Sequence, residues 1–279
     1  MKKLRRHSVL PGFGLTMGFT VVYLSLIVLI PLTALFLRAA GMGWSDFWET
    51  ISDARVLASF RVTFSMSFFA ALTNAVFGFI VAWVLVRYSF PGRRFFDAMV
   101  DLPFALPTAV SGITLSMLYA NQGLYKGWIG QLLPFAVAKT PIGIYVALTF
   151  IGLPFVVRAV QPEIDDIERE LEEVAASLGA SRWQTFWRVI FPTLLPALLT
   201  GFTMAFARGI GEYGSVIFIA DNTAYLSEIT PQLIYIKLNA NETSDATAIA
   251  ATMLVVSFAL LFTINMLQLW GTRKYRETK

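Results

Sequence analysis

Two ionisable residues sit inside one apolar run: Arg208 and Glu212, in Phe206-Ala-Arg-Gly-Ile-Gly-Glu-Tyr-Gly214. Four apart, they share one helix face and can pair. A charge at the bilayer centre costs at least about 2.5–3.5 kcal/mol, so something must offset it. The pair reads either as a charge facing a pathway or as a structural ion pair between helices. Upstream, Asp101-Leu-Pro-Phe-Ala-Leu-Pro-Thr-Ala-Val-Ser-Gly112 places two prolines and a glycine in another apolar run. Proline removes a helical hydrogen bond and clashes with the preceding turn. Broken backbone at that depth is tolerated where protein or a water-filled cavity satisfies it. The segment is therefore a pathway-lining kink at Pro107, with Thr108, Ser111 and Thr114 offering hydroxyls, or an ordinary kink whose small residues allow close packing.

Other chemistry is missing. The chain has no Cys, and its one His, His7, reads as a polar residue of the basic N-terminal tail at the membrane surface. No disulfide, thiol nucleophile, His-built metal site or His-dependent triad is available. No G-x-x-x-x-G-K-[ST] phosphate loop occurs. A membrane-embedded hydrolase would need a nucleophile–base pair or metal ligands, which Arg208 and Glu212 do not supply. The chain is expected to have no catalytic residue, no metal and no cofactor of its own.

The 279 residues have a mean hydropathy of +0.64, with 56% hydrophobic and 14% charged residues. Ordinary soluble domains carry about 25% charged residues. The composition predicts an all-α membrane protein, one transmembrane domain over 1–279. Six apolar runs meet the roughly 20 residues that a crossing needs: Phe13–Leu37, Phe60–Val86, Met99–Tyr119, Ile142–Val160, Leu194–Ala220 and Ala246–Trp270. The first is too long for a signal-peptide core and reads as a retained helix. Fifteen of the 22 Lys and Arg fall on one side of this arrangement and six on the other, with Arg208 inside a span. The positive-inside rule then puts both termini in the cytosol. The net charge of +4 reflects this topology and contact with anionic lipid, with no nucleic acid implied.

Between the fourth and fifth spans lies a cytosolic loop, 161–193, reading QPEIDDIERELEEVAASLGASRWQTFWRVIFP over its first 32 residues. Asp165 or Asp166 is expected to cap a first helix, with Glu168, Glu170, Glu172 and Glu173 complementing the positive end of its dipole. Ile167, Leu171, Val174 and Leu178 recur at helical spacing as one apolar stripe. Gly179 suits the left-handed end of that helix. Ser181 and Gln184 form a capping-box start for a second helix, and Pro192 and Pro196 are expected to turn the chain back into the fifth span. The alternative is a solvated hairpin, but that would not need Trp183 and Trp187. The pattern reads as a docking element for a partner outside the membrane. Elsewhere, Arg87–Arg94 reads as a tight Pro-Gly turn, Trp44 and Trp48 as an aromatic belt, and Thr230–Leu238 as a short helix at the outer surface.

Glu173-Val-Ala-Ala-Ser-Leu-Gly179, nine residues and then Val189-Ile-Phe-Pro192 resemble the EAA loop of ABC-importer permeases, with Val174 for the first Ala and Phe191 for a Leu. DLPFALPTAV (101–110), PFVVRAVQP (154–162) and GEYGSVIFIADN (211–222) narrow the likeness to T- or U-type permeases of sulfate/thiosulfate importers. Molybdate permeases share much of the pattern. The resemblance implies two cytosolic ATPase subunits that bind ATP and Mg, a periplasmic sulfate/thiosulfate-binding protein and a sister permease. It implies a coupling-helix loop in which Glu173, Val174, Ala175, Gly179 and Pro192 meet an ATPase. It also offers Arg208, Glu212, Pro107, Thr108 and Ser111 as candidates for the route of a dianion across a bacterial inner membrane. A channel or secondary transporter would lack such a loop and would need more buried carboxylates.

Overall fold

The computed structural model describes residues 13–119 and 136–276. All regular structure in them is helical: α1 (Phe13–Ala40), α2 (Trp44–Ser52), α3 (Ala54–Arg87), α4 (Arg93–Val100), α5 (Leu102–Ala105), α6 (Thr108–Tyr119), α7 (Pro141–Asp165), α8 (Arg169–Ser177), α9 (Arg182–Ile210), α10 (Val216–Ile219), α11 (Thr230–Asn239) and α12 (Thr243–Arg276). His7, Lys126 and the other charges of both chain ends beyond these bounds lie outside the described residues.

Five helices are long and apolar enough to cross a bilayer among the described residues: α1, α3, α7, α9 and α12. The expected third span, Met99–Tyr119, is not one helix. Its stretch falls across the end of α4, the four-residue α5 and the 12-residue α6, because Leu106, held extended before Pro107, interrupts it. The fifth expected span also ends early. α9 stops at Ile210 and the chain breaks over 211–215, where hydropathy alone carried the span on to Ala220.

At the other end α9 is longer than expected. Pro192 and Pro196 do not turn the chain; the helix runs through both. A π-turn at Phe186–Ile190, closed by the Phe191 N–H to the Phe186 carbonyl, comes directly before Pro192. The same device occurs at Ser25–Leu29, directly before Pro31. A wider turn relieves the ring clash and the lost donor that proline brings to a helix.

The core is the triangle of α3, α7 and α9. Asp53 caps α3, its Oδ1 accepting from the Arg55 and Val56 N–H groups at 2.9 and 3.2 Å. Where the three helices meet, glycine removes the side chain: Gly78 and Gly201 face Val156, Gly152 faces Asn74 and Gly209 faces Ser67. Small residues let helices approach closely where lipid provides no hydrophobic drive. Both side-chain polar atoms of buried Asn74 lack a hydrogen-bond partner among the described residues. α1 buries no residue and lies at the periphery against α12. Outside the core, α2 presents exposed Trp44 and Trp48, and α11 forms the short helix expected near Thr230.

Candidate functional site

Two regions collect the residues singled out by sequence. The first is the surface after α7. Here α8 starts at Arg169, later than expected: Asp165 and Asp166 finish α7, and Glu168 is the N-cap without a side-chain bond. The apolar stripe is split as well. Ile167 is buried in the core, while Leu171 and Val174 are exposed and Leu178 is 82% exposed.

Glycine at 179 is required by backbone geometry. Its φ is +82°, and a Cβ there would meet no atom within 4 Å. The Ala180 N–H donates to the Ala175 carbonyl and the Gly179 N–H to the Ala176 carbonyl, both at 3.0 Å. These two bonds make the Schellman ending of α8. The Ser181 capping box then starts α9, with the Gln184 N–H donating to Ser181 Oγ at 3.3 Å and the Ser181 N–H to Gln184 Oε1 at 2.8 Å. α8 is also tethered: Arg87, at the end of α3 and 5.4 Å above the Trp83 ring, lies 2.8 Å from Glu172. Glu173 and Val174 stay exposed, Ala175 and Pro192 are half-buried, and Trp183 is 70% exposed. The result is a short helix tethered to the end of α3, with apolar and acidic side chains left exposed.

The second region joins the two breaks. Gly112 lies against the Ser215 backbone and Gly214 against the Thr108 hydroxyl, so the start of α6 packs on the 211–215 strip. Pro107, Thr108, Ser111 and Glu212 thus belong to one neighbourhood, with Arg208 on the last turn of α9 beside it. Ser111 Oγ donates weakly to the Pro107 carbonyl at 3.4 Å, which leaves it directed into its own helix. Glu212 is 2% exposed and fully engaged: Oε2 lies 2.6 Å from Arg208 Nη1, and Oε1 accepts from the Ser215 N–H and Oγ, each at 2.9 Å. The ion pair sits within one chain segment, where a pair between helices was the structural alternative. Arg208 is one-third exposed, and its other N–H groups have no protein partner among the described residues. One charge is buried and neutralised; the other keeps donors to spare.

Sequence reasoning missed a third cluster. Arg158 on α7 binds Asp101 through both carboxylate oxygens and also reaches Asp97, across 57 and 61 positions. Hydrogen bonding to Gln161, and then the Arg158 charge, hold the Asp97 carboxyl below the ordinary carboxylate range. The available signal was that Asp101 and Arg158 stand in two of the three diagnostic segments. At the opposite end of α3 from Arg87, Arg55 forks onto buried Glu228 with two 2.7 Å bonds, pinning the start of α3 to the chain before α11. No group of three or more potential metal ligands occurs among the described residues.

Residues 74–276 match the family model for the binding-protein-dependent transport system inner membrane component. The chain is 46% identical over 262 residues to the sulfate transport system permease protein CysT of Escherichia coli, covering 94% of each protein. It is 45% identical to the protein of the same name from Synechocystis, covering 98% of this chain and 95% of the relative. Among solved structures, a bacterial ABC transporter involved in the import of the acidic polysaccharide alginate matches with a TM-score of 0.73. That match has 16% identity and covers 92% of this chain and 95% of the other. An inward-facing MetNI methionine ABC transporter matches with a TM-score of 0.56, 21% identity and coverage of 85% and 100%.

Proposed function

The chain belongs to the family of binding-protein-dependent transport system inner membrane components, and from that premise we propose that it is the permease subunit of an ATP-driven importer of sulfate or thiosulfate. The observation that carries the substrate is near-full-length identity of 45–46% to sulfate permeases. Molybdate or another oxyanion is the alternative within the family.

In this reading the protein crosses the inner membrane six times, α5 and α6 serving as the third crossing, with both termini in the cytosol. Two ATPase subunits bind ATP and Mg, and this chain binds neither. A periplasmic binding protein delivers the anion, and a sister permease completes the pathway. The loop around α8 is the coupling helix: Glu173 presents charge to an ATPase, exposed Val174 and Leu178 fill its groove, Ala175 allows close approach, and Gly179 and Pro192 fix the chain on either side. Closure of the ATPase pair rocks α7 and α9 and switches access.

Arg208 supplies positive potential to a passing dianion, and Glu212 limits how tightly it is held. Pro107 breaks the neighbouring helix, and Thr108 and Ser111 lie on the turn that follows the break. A weak site suits a strongly hydrated anion, since conduction needs entry without trapping.

The test is purification of the chain in detergent with everything that accompanies it, followed by reconstitution with the binding protein. An ATPase, a second multi-span subunit and ATP-dependent sulfate uptake, competed by thiosulfate more strongly than by molybdate, are expected. Oxyanion transport by the chain alone in liposomes would overturn the reading.

A further inference from the structure

All five N–H groups of the Arg158 guanidinium are engaged. Nε donates to Asp101 Oδ1 at 2.8 Å, and Nη2 to Asp101 Oδ2 at 2.6 Å and to the Asp97 carbonyl at 2.9 Å. Nη1 donates to Asp97 Oδ1 at 2.7 Å and to Gln161 Oε1 at 2.6 Å, and Gln161 Nε2 returns to Asp97 Oδ1 at 3.0 Å. An arginine with no free donor is not an anion-binding residue, even though it borders a cavity of about 380 Å³ with Glu163 and Thr200. Nor does the cluster stabilise the fold by much, since its groups are between one-third and one-half exposed and such pairs are screened by solvent.

Its position suggests a different role. Arg158 and Gln161 lie in the last two turns of α7, directly before the α8 loop. Asp97 and Asp101 lie on α4 and at the α4–α5 elbow, directly before the Pro107 break. Above the cluster, Phe104 of α5 packs edge-on against Phe155 of α7, ring centroids 5.0 Å apart. A planar guanidinium held on both edges fixes orientation as well as distance, which a point charge on a flexible stem does not.

We propose that Arg158, with Asp97, Asp101 and Gln161, is a transmission latch that makes the cytosolic end of α7 and the α4–α5 elbow one rigid body. Displacement of α7 at the α8 loop then reaches the Pro107 break, where α6 packs on the 211–215 strip. Arg158 is a positioning residue in this scheme, and the scheme rests on the reading that ATPase subunits drive the chain.

The test uses the complete complex with its ATPase subunits, sister permease and binding protein, carrying Arg158→Lys or Asp101→Asn. Both variants are expected to assemble fully and hydrolyse ATP at rates within about twofold of the unaltered complex, while anion transported per ATP falls about tenfold or more, as a small misplacement of working parts commonly costs. A parallel measurement needs no transport. The chain has no cysteine, so spin labels on Phe96→Cys and Glu163→Cys report the elbow-to-α7 distance. That distance should be the same with and without nucleotide in the latched protein and should change with nucleotide once Arg158 is Lys. Uptake and hydrolysis falling together, in proportion to assembled complex, would overturn the latch in favour of simple anchoring. Unchanged coupling with unchanged label distances would overturn it too. If the unaltered complex shows no ATP-dependent uptake, the functional reading fails instead, and the label distances alone decide the latch.

Discussion

Gly112 lies against Ser215 so closely that a methyl group on its Cα would collide with the Ser215 backbone. The contact joins α6, one turn after the Pro107 break, to the strip in which α9 has ended. Gly112→Ala must therefore push α6 off the 211–215 strip. Overpacking of this kind costs about 1–3 kcal/mol, here concentrated on one contact. Heating in detergent, followed by the fraction left monodisperse, should show a lower midpoint for Gly112→Ala than for Gly18→Ala, where a Cβ meets nothing within 4 Å.

Gly179 presents the opposite case. A side chain there has open space and only the +82° φ opposes it, at roughly 1–2 kcal/mol for an ordinary L residue. Gly179→Asp should insert into the membrane at normal levels and lose ATP-coupled uptake, because it places a further carboxylate on the exposed docking turn while the core does not change. Gly179→Asn, which tolerates left-handed backbone, should retain more uptake than Gly179→Val. Equal uptake in all three would count against docking through this turn.

Glu212 and Arg208 differ in burial, and the consequences of removing each should differ accordingly. Glu212→Ala strands the Ser215 donors and leaves Arg208 unpaired, a loss on the order of 3 kcal/mol for a broken buried pair. Arg208→Gln leaves the buried Glu212 carboxylate without its counter-charge and should lower thermal stability as well. Arg208→Lys keeps a positive charge for Glu212 but not the spare guanidinium donors, so it should change stability less and act on transport, as slower sulfate uptake at unchanged complex yield. Arg208→Lys with normal uptake would leave the pair purely structural.

Local pattern was legible in the sequence, and distant pairing was not. The Gly179 turn, the Ser181–Gln184 capping box and the short helix at Thr230 depend on residues within a few positions, so composition and spacing reveal them. The end of α9 at Ile210 did not show, because Val216, Ile219 and Ala220 are as apolar as a continuing span and are buried in a second core cluster. The straight passage through Pro192 was hidden for a related reason. A π-turn costs one residue of register and has no signature in residue type. The pairing of Arg158 with Asp101 did not show, because nothing along the chain places partners 57 positions apart on one elbow. What hydropathy reports is the lipid-facing exterior; the helix breaks and the charge pairing between helices are decided by neighbours it does not see.

The pH response of that elbow follows from Asp97. Its carboxyl titrates below the ordinary value of 3.8, first through Gln161 and then through Arg158. A folded-state pKa below the unfolded one means the stabilisation is complete above 3.8 and is lost as pH falls through the lower, folded value. Between pH 5 and pH 8 the Asp97 carboxylate stays charged, so the elbow should not loosen over that range. Thermal midpoints of the unaltered protein and Asp97→Asn should differ by a constant amount from pH 8 down to pH 5. Below the folded-state value, where protonation makes the Asp97 carboxyl neutral like the amide, the two should converge. A gap that closes between pH 7 and pH 5 would mean that a different group controls the elbow.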